Sequence, residues 1–252
     1  WYSVLQRAVI KLRANKKTII DYDYNYALMC EVYKKIDLVD KSFSEIYHKN
    51  GLRKDNSERN FKLLNVILRF SKSKMDIEGI HIYDNSEVYL ILSGQKDIIA
   101  MIINGFCLDN KININNKILE FESIIFEKEI SKEENSLYKV ETCLVESIFN
   151  NNTVEYLDIK DERFCKALEN NLRRKYKVLY HEEYLDDLNI VIKDYSPIKR
   201  KSIGIKGGYI HGFSKVELIV LGNKKIQDVA YYCGLGSQNM MGAGFVSYKG
   251  GI

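Results

Sequence analysis

Proline is nearly missing from this chain: Pro197 is the only one in 252 residues. With abundant Ile, Asn, Lys and Tyr, this scarcity looks like A·T-rich coding bias rather than low complexity. Cysteine is also sparse. Cys30, Cys107, Cys143, Cys165 and Cys233 are odd in number, far apart and never in a C-x-x-C pair, which argues against a disulfide framework or a zinc site. Most sit among apolar neighbours and read as small core residues in a reducing cytosol, so a cytoplasmic location is expected. No apolar run approaches the length of a membrane span, and no signal peptide is expected. Histidine occurs only four times, and no group of His, Cys, Asp and Glu has metal-ligand spacing. The reading therefore expects no metal and no cofactor.

An excess of one charge is missing too. Lys and Arg total 38 against 34 Asp and Glu, a net +4, which permits an acidic partner without demanding one. The basic residues are nonetheless grouped: Arg53, Lys54, Arg59 and Lys62; then Arg173, Arg174, Lys175 and Lys177; then Lys199, Arg200, Lys201 and Lys206. One such group is usually a solvated face. Three of them flanking glycine-rich segments make a better case for a polyanion such as RNA.

Hydrophobic periodicity organises the chain into two similar halves. Residues 7–13 alternate as a strand, and Leu28, Val32 and Ile36 mark a helix after Asp23, a candidate N-cap. A second helical piece, 42–49, ends at Asn50-Gly51. Strands are expected at 61–70 and 87–92, a helix closed by glycine at 96–105, and a hairpin at 112–126 turning on Asn115-Asn116. After the polar break 131–136 the order recurs: strand 137–149, helix 161–180, strands 188–194 and 209–221, helix 225–232, strand 244–248. The expected class is α+β, with two tandem ferredoxin-like (βαββαβ) domains at 1–130 and 137–252.

What stands between the last helix and strand is the most specific feature. Residues 234–244 hold Gly234, Gly236, Gly242 and Gly244 around Ser237, Gln238 and Asn239. Glycine admits φ > 0 and lets a backbone come close to a partner, so successive N–H groups could cradle phosphate oxygens. A tight helix-to-strand connection is the plain alternative. The order helix, glycines, strand fits neither a dinucleotide fingerprint nor a P-loop. It resembles the C-terminal glycine-rich motif of the CRISPR repeat-processing endoribonucleases of the RAMP superfamily, a resemblance that spans nearly the whole chain.

The resemblance implies a metal-independent endoribonuclease. The 2′-hydroxyl of CRISPR repeat RNA would attack the scissile phosphate, leaving a 2′,3′-cyclic phosphate and a 5′-hydroxyl. Such chemistry needs a base, an acid and positive charge on the phosphorane. His48, in Ile46-Tyr47-His48-Lys49-Asn50-Gly51, Lys62, in Phe61-Lys62-Leu63, and Tyr33 match the family's catalytic positions. Lys54 or Arg53 could supply the charge instead of Lys62. RNA contacts are expected from Lys199, Arg200, Lys201, Lys206 and His211, and from Gly234, Gly236, Ser237, Gln238, Asn239, Gly242 and Gly244. His81 and His181 read as surface residues. Repeat RNA is the expected partner, with an effector complex and a homodimer left open and no membrane. Two rivals are a RAMP-type protein that holds repeat RNA without cutting it, and a ferredoxin-like interaction module with no RNA role.

Overall fold

The computed structural model describes residues 4–52, 61–150, 153–205 and 207–251. Arg53, Lys54, Arg59 and Lys206 lie outside the described residues. The first half runs β1 (Leu5–Arg13), β2 (Thr18–Ile20), α1 (Tyr24–Val39), α2 (Lys41–Asn50), β3 (Leu64–Phe70), β4 (Ser73–Asp76), β5 (Gly79–Ile82), β6 (Glu87–Gln95), α3 (Lys96–Leu108), β7 (Lys111–Ile114) and β8 (Lys117–Phe126). The second runs β9 (Asn135–Val140), β10 (Ser147–Asn150), β11 (Thr153–Tyr156), α4 (Phe164–Tyr180), β12 (Asn189–Ile192), β13 (Lys199–Ile205), β14 (Gly208–Ser214), β15 (Glu217–Leu221), α5 (Lys224–Cys233) and β16 (Val246–Gly251).

Both main sheets share one topology. The first is ordered β3-β6-β1-β8-β7 and the second β12-β15-β9-β16, every pair antiparallel. In each, the strands that begin and end the βαββαβ unit lie side by side, the ferredoxin-like order expected from the sequence. In β1 the alternation sends Ala8, Ile10 and Leu12 into one core with Leu28, Val32 and Ile36 of α1 and Ile98, Ile102 and Phe106 of α3. The opposite face of that sheet meets the second half, where Ile67 and Ile91 pack on Phe245.

Arg7, 5 % exposed, fastens this junction. Its guanidinium donates to Ser93 Oγ (3.0 Å) in the first half and to the carbonyls of Tyr231 (2.8 Å) and Val246 (3.2 Å) in the second. It also lies over the Tyr231 ring, 3.9 Å from the centroid. Guanidinium suits such a place because it offers five donors in a planar fork and stacks on aromatic faces.

Several expectations need correction. Gly105 does not close α3 but sits inside it, where a Cβ would collide with the backbone of Lys35 on α1; the glycine permits a close helix crossing. Asp23 makes no side-chain cap, and its carboxylate instead accepts from Tyr209 (2.9 Å). The run 137–149 is not one strand. It breaks after Val140 because Cys143, Leu144 and Val145 are buried beneath the glycine-rich segment and Phe213 rather than in the main sheet. The run 209–221 is likewise two strands, divided at Lys215 with φ +60°. A three-stranded sheet, β2-β5-β4, was not foreseen.

Candidate active site

α2 forms because Asp40 caps it, accepting from the Phe43 amide (2.9 Å), and it stops at Gly51 with φ +64°. His48 therefore falls in the last turn, exposed, with its ring 4.9 Å from that of Tyr33 on α1, edge to face. Lys62, just before β3, donates to the carbonyls of His48 (2.6 Å) and Tyr47. Its ammonium stands 5.9 Å from the centre of the Tyr33 ring. Tyr47 is fully buried and donates back to the Lys62 carbonyl (2.5 Å), so the end of α2 and the start of β3 are laced together. Partial burial lowers the Lys62 pKa to about 8. Burial pushes the Tyr33 phenol up, with the nearby Cys30 thiol adding to it, so the phenol keeps its proton near neutral pH.

Tyr33 and Lys62 line one side of a cavity of about 270 Å³, and Gly236, Ser237, Gln238, Asn239, Met240 and Met241 line another. His48 is not among the lining residues; its ring packs against Tyr33, which is. The structure thus brings Tyr33 and Lys62 to a wall shared with the glycine-rich segment, with His48 against Tyr33.

The glycines act differently from the expected phosphate cradle. Gly234, Gly236, Gly242 and Gly244 all have φ between +66° and +81° and are buried. A Cβ on Gly236 would collide with the Val145 carbonyl, and one on Gly244 with that of Leu235. The amides of Leu235, Ser237, Gly242 and Gly244 donate to the carbonyls of Gly244, Val145, Asn239 and Cys143. These glycines fold the segment against the protein itself, and the half-buried Ser237, Gln238 and Asn239 line the cavity. Gly236→Ala is accordingly expected to cost more than about 1 kcal/mol, lowering Tm by about 2–4 °C per kcal/mol in a chain of this size. Thermal denaturation checks it; an unchanged Tm would contradict the packing.

The basic groups divide. Lys175 is 2 % exposed and donates to Gly234 O, Gly236 O and Asn239 Oδ1, each at 2.8 Å, so it holds the glycine-rich segment from below. Arg173 donates to the Tyr184 carbonyl (2.7 Å), and Lys177 meets Glu183 (2.5 Å). The second basic group is therefore not a single cationic face. Lys199, Arg200 and Lys201 are exposed on β13, Arg200 paired with Asp158 (2.7 Å), and none of the three lines the cavity. His211 faces Ser202 across that hairpin, 3.1 Å apart, and is exposed. Ile203 and Ile210 dock the hairpin on Met241 and Ala243 of the glycine-rich segment.

Sequence reasoning missed Asn171 and the burial of Lys175. Their signal was available: Leu168, Asn171, Leu172, Lys175 and Tyr176 follow i, i+3, i+4, i+7, i+8, so an amide and an ammonium occupy core positions of α4. His81 is not a surface residue, its side chain being 12 % exposed and bonded to Asp76 Oδ1 (2.7 Å). Asp76, Glu78 and His81 bring possible ligand atoms within 4.8 Å of one another, a grouping that the hairpin creates from spacing the sequence reading passed over. His181 ends α4 in the left-handed region and is exposed.

Two ferredoxin-like sheets closed over a C-terminal glycine-rich segment define a protein of the RAMP fold. Residues 127–248 match the family described as CRISPR associated protein Cas6, C-terminal. The chain is 24 % identical over 248 residues to CRISPR-associated endoribonuclease Cas6 1 of Methanocaldococcus jannaschii, covering 95 % of this chain and 91 % of that one. A solved Cas6-related protein from Pyrococcus furiosus superposes with a TM-score of 0.79 at 20 % identity, covering 97 % of this chain and 98 % of that one. A RAMP protein described as binding different RNA substrates gives 0.78 at 21 %, with 97 % and 99 % covered. The C-terminal part of the chain thus matches the Cas6 family model, and the fold over the whole length is that of solved Cas6-related proteins.

Proposed function

We propose that this protein cleaves CRISPR repeat RNA in its precursor transcript, without a metal ion, by attack of the RNA's own 2′-hydroxyl. The observation that carries this reading is the convergence of Tyr33, His48 and Lys62, from two helices and the start of a strand, beside a cavity walled by the glycine-rich segment. The relative from Methanocaldococcus jannaschii, an endoribonuclease by name, supports the reaction class.

The 2′-oxygen forms a bond to the adjacent phosphorus while the bond to the 5′-oxygen breaks. One proton leaves the 2′-hydroxyl and one is delivered to the departing 5′-oxygen. His48 exchanges these protons. Lys62 places its charge against the phosphorane oxygens, and the Tyr33 phenol hydrogen-bonds to the same group. An ammonium has three donors; the carbonyls of Tyr47 and His48 take two and fix the lysine's aim. The same reading divides labour between 1–130, with the reacting groups, and 137–252, which grips RNA through Ser237, Gln238 and Asn239 and through Lys199, Arg200, Lys201 and His211 of the β13–β14 hairpin. Incubating the purified protein with a panel of end-labelled repeat RNAs in EDTA tests the proposal. Cleavage at one position is the expected result, and no cut in any RNA overturns it.

Lys62 also sets a pH limit. Its pKa lies below the ordinary lysine value, so its charge is lost as pH rises through about 8. Because kcat/KM reports the free enzyme, its alkaline limb should fall near pH 8. With RNA bound, phosphate charge favours the ammonium, and the limb in kcat should move higher. Lys62→Arg, which stays charged, should remove the limb whatever its residual rate. A limb unmoved in that variant assigns the titration elsewhere.

A further inference from the structure

Asn171 lines the same cavity from α4 and is 2 % exposed, yet its Oδ1 has no hydrogen-bond partner among the described residues. The orientation of its amide follows from its other neighbour. Glu146 Oε1 lies 3.5 Å from Asn171 Nδ2 and already accepts from the Ser147 amide (2.8 Å) and Ser237 Oγ (2.7 Å). A carboxylate only accepts, so the amide must turn its NH₂ toward Glu146, leaving Oδ1 as an acceptor beside the cavity. A buried acceptor left without a donor is unfavourable, and an incoming N–H relieves it.

The rest of the cavity has the character of a base-binding site. Met29, Phe61 and Met240 supply apolar contact, Tyr33 an aromatic ring, and Ser237 and Gln238 polar groups at the edge. At about 270 Å³ it falls below the roughly 300–1,000 Å³ that encloses a drug-sized ligand, a size for one base and not two. Single-stranded RNA is read in this way, by splaying a base out of its stack and bonding its edge.

We propose that this cavity seats one unstacked nucleobase of the RNA, next to the cut, and that Asn171 Oδ1 accepts a hydrogen bond from its exocyclic amine. The proposal rests on the endoribonuclease reading and names part of the substrate for that site. Adenine, cytosine and guanine carry the amine; uracil lacks it and has only its ring N3–H to donate.

The test uses the repeat RNA that the labelled panel selects. Each nucleotide within a few positions of the cut is replaced singly by its amine-free analogue: purine riboside for adenosine, inosine for guanosine, 2-pyrimidinone riboside for cytidine. With the unaltered protein, one position should weaken binding about tenfold, the effect of losing a hydrogen bond to a buried acceptor. Asn171→Leu, checked for folding by its melting curve, should bind the parent and that analogue within about twofold of each other. If every analogue binds the unaltered protein within twofold of the parent, the base pocket is wrong while cleavage still stands. Full amine dependence retained in Asn171→Leu also overturns it. Failure of the protein to bind any RNA of the panel removes both readings.

Discussion

His48→Ala should lower the single-turnover rate of repeat RNA cleavage by about 10²-fold or more, the range lost with a general acid or base, while binding changes little. The two effects separate because His48 is exposed and lies outside the residues that line the cavity. Its removal takes away a proton carrier and leaves the ammonium of Lys62 and the polar side chains of the glycine-rich segment in place. Lys62 is held through the backbone carbonyls of residues 47 and 48, not through the imidazole, so alanine should leave its position intact. Single-turnover kinetics with protein in excess, beside a filter-binding titration, checks both halves. Full activity would move the proton transfers to another group, with His211 the next to substitute.

A single 2′-deoxy nucleotide immediately upstream of the cut should abolish cleavage, and EDTA should leave the parent RNA's cleavage unchanged. The first result follows from the nucleophile belonging to the substrate: without the 2′-oxygen no cyclic phosphate can form. The second follows from assigning phosphorane charge to Lys62 rather than to a cation. Binding of the deoxy RNA, measured in parallel, should stay within a few-fold, which separates lost chemistry from lost affinity. Cleavage of the deoxy RNA would show that a water molecule attacks. Loss of activity in EDTA, restored by a divalent ion, would direct attention to a metal-assisted route.

The two-fold repetition of strands and helices was legible because each sheet has one face against helices, so apolar alternation survives in β1, β9 and β15. Legibility failed where burial came from elsewhere. Cys143, Leu144 and Val145 read as strand because they are apolar, but what covers them is the glycine-rich segment some ninety residues later, which local pattern cannot reveal. Gly105 read as a stop because glycine commonly ends helices; only the partner helix shows that it serves a close crossing. Among the site residues, Tyr33, His48 and Lys62 were named through resemblance, and periodicity alone would have left His48 a surface residue. Of the two readings of the glycines, the tight connection is visible in their positive φ, while the sequence does not say which backbone they approach. Lys175 was counted with its basic neighbours, although its position in the apolar stripe of α4 marked it as buried.

The glycine-rich segment touches almost everything that folds before it. Asn25 and Asn65 of the first half donate to the carbonyls of Met241 and Ala243, both at 2.9 Å, and Lys175 grips it from α4. Those contacts join residues as much as 216 positions apart, so they close only after nearly the whole chain is available. Bringing such distant segments together is slow compared with forming helices and hairpins. During synthesis, the first half can acquire its sheet while the segment that completes the cavity has yet to leave the ribosome, but Phe61 and Leu63, which flank Lys62, pack in the core of the second half. The sheet of the first half can thus form early and the cavity only late, and a chain interrupted before residue 234 lacks the cavity wall that Gly236 to Met241 supply.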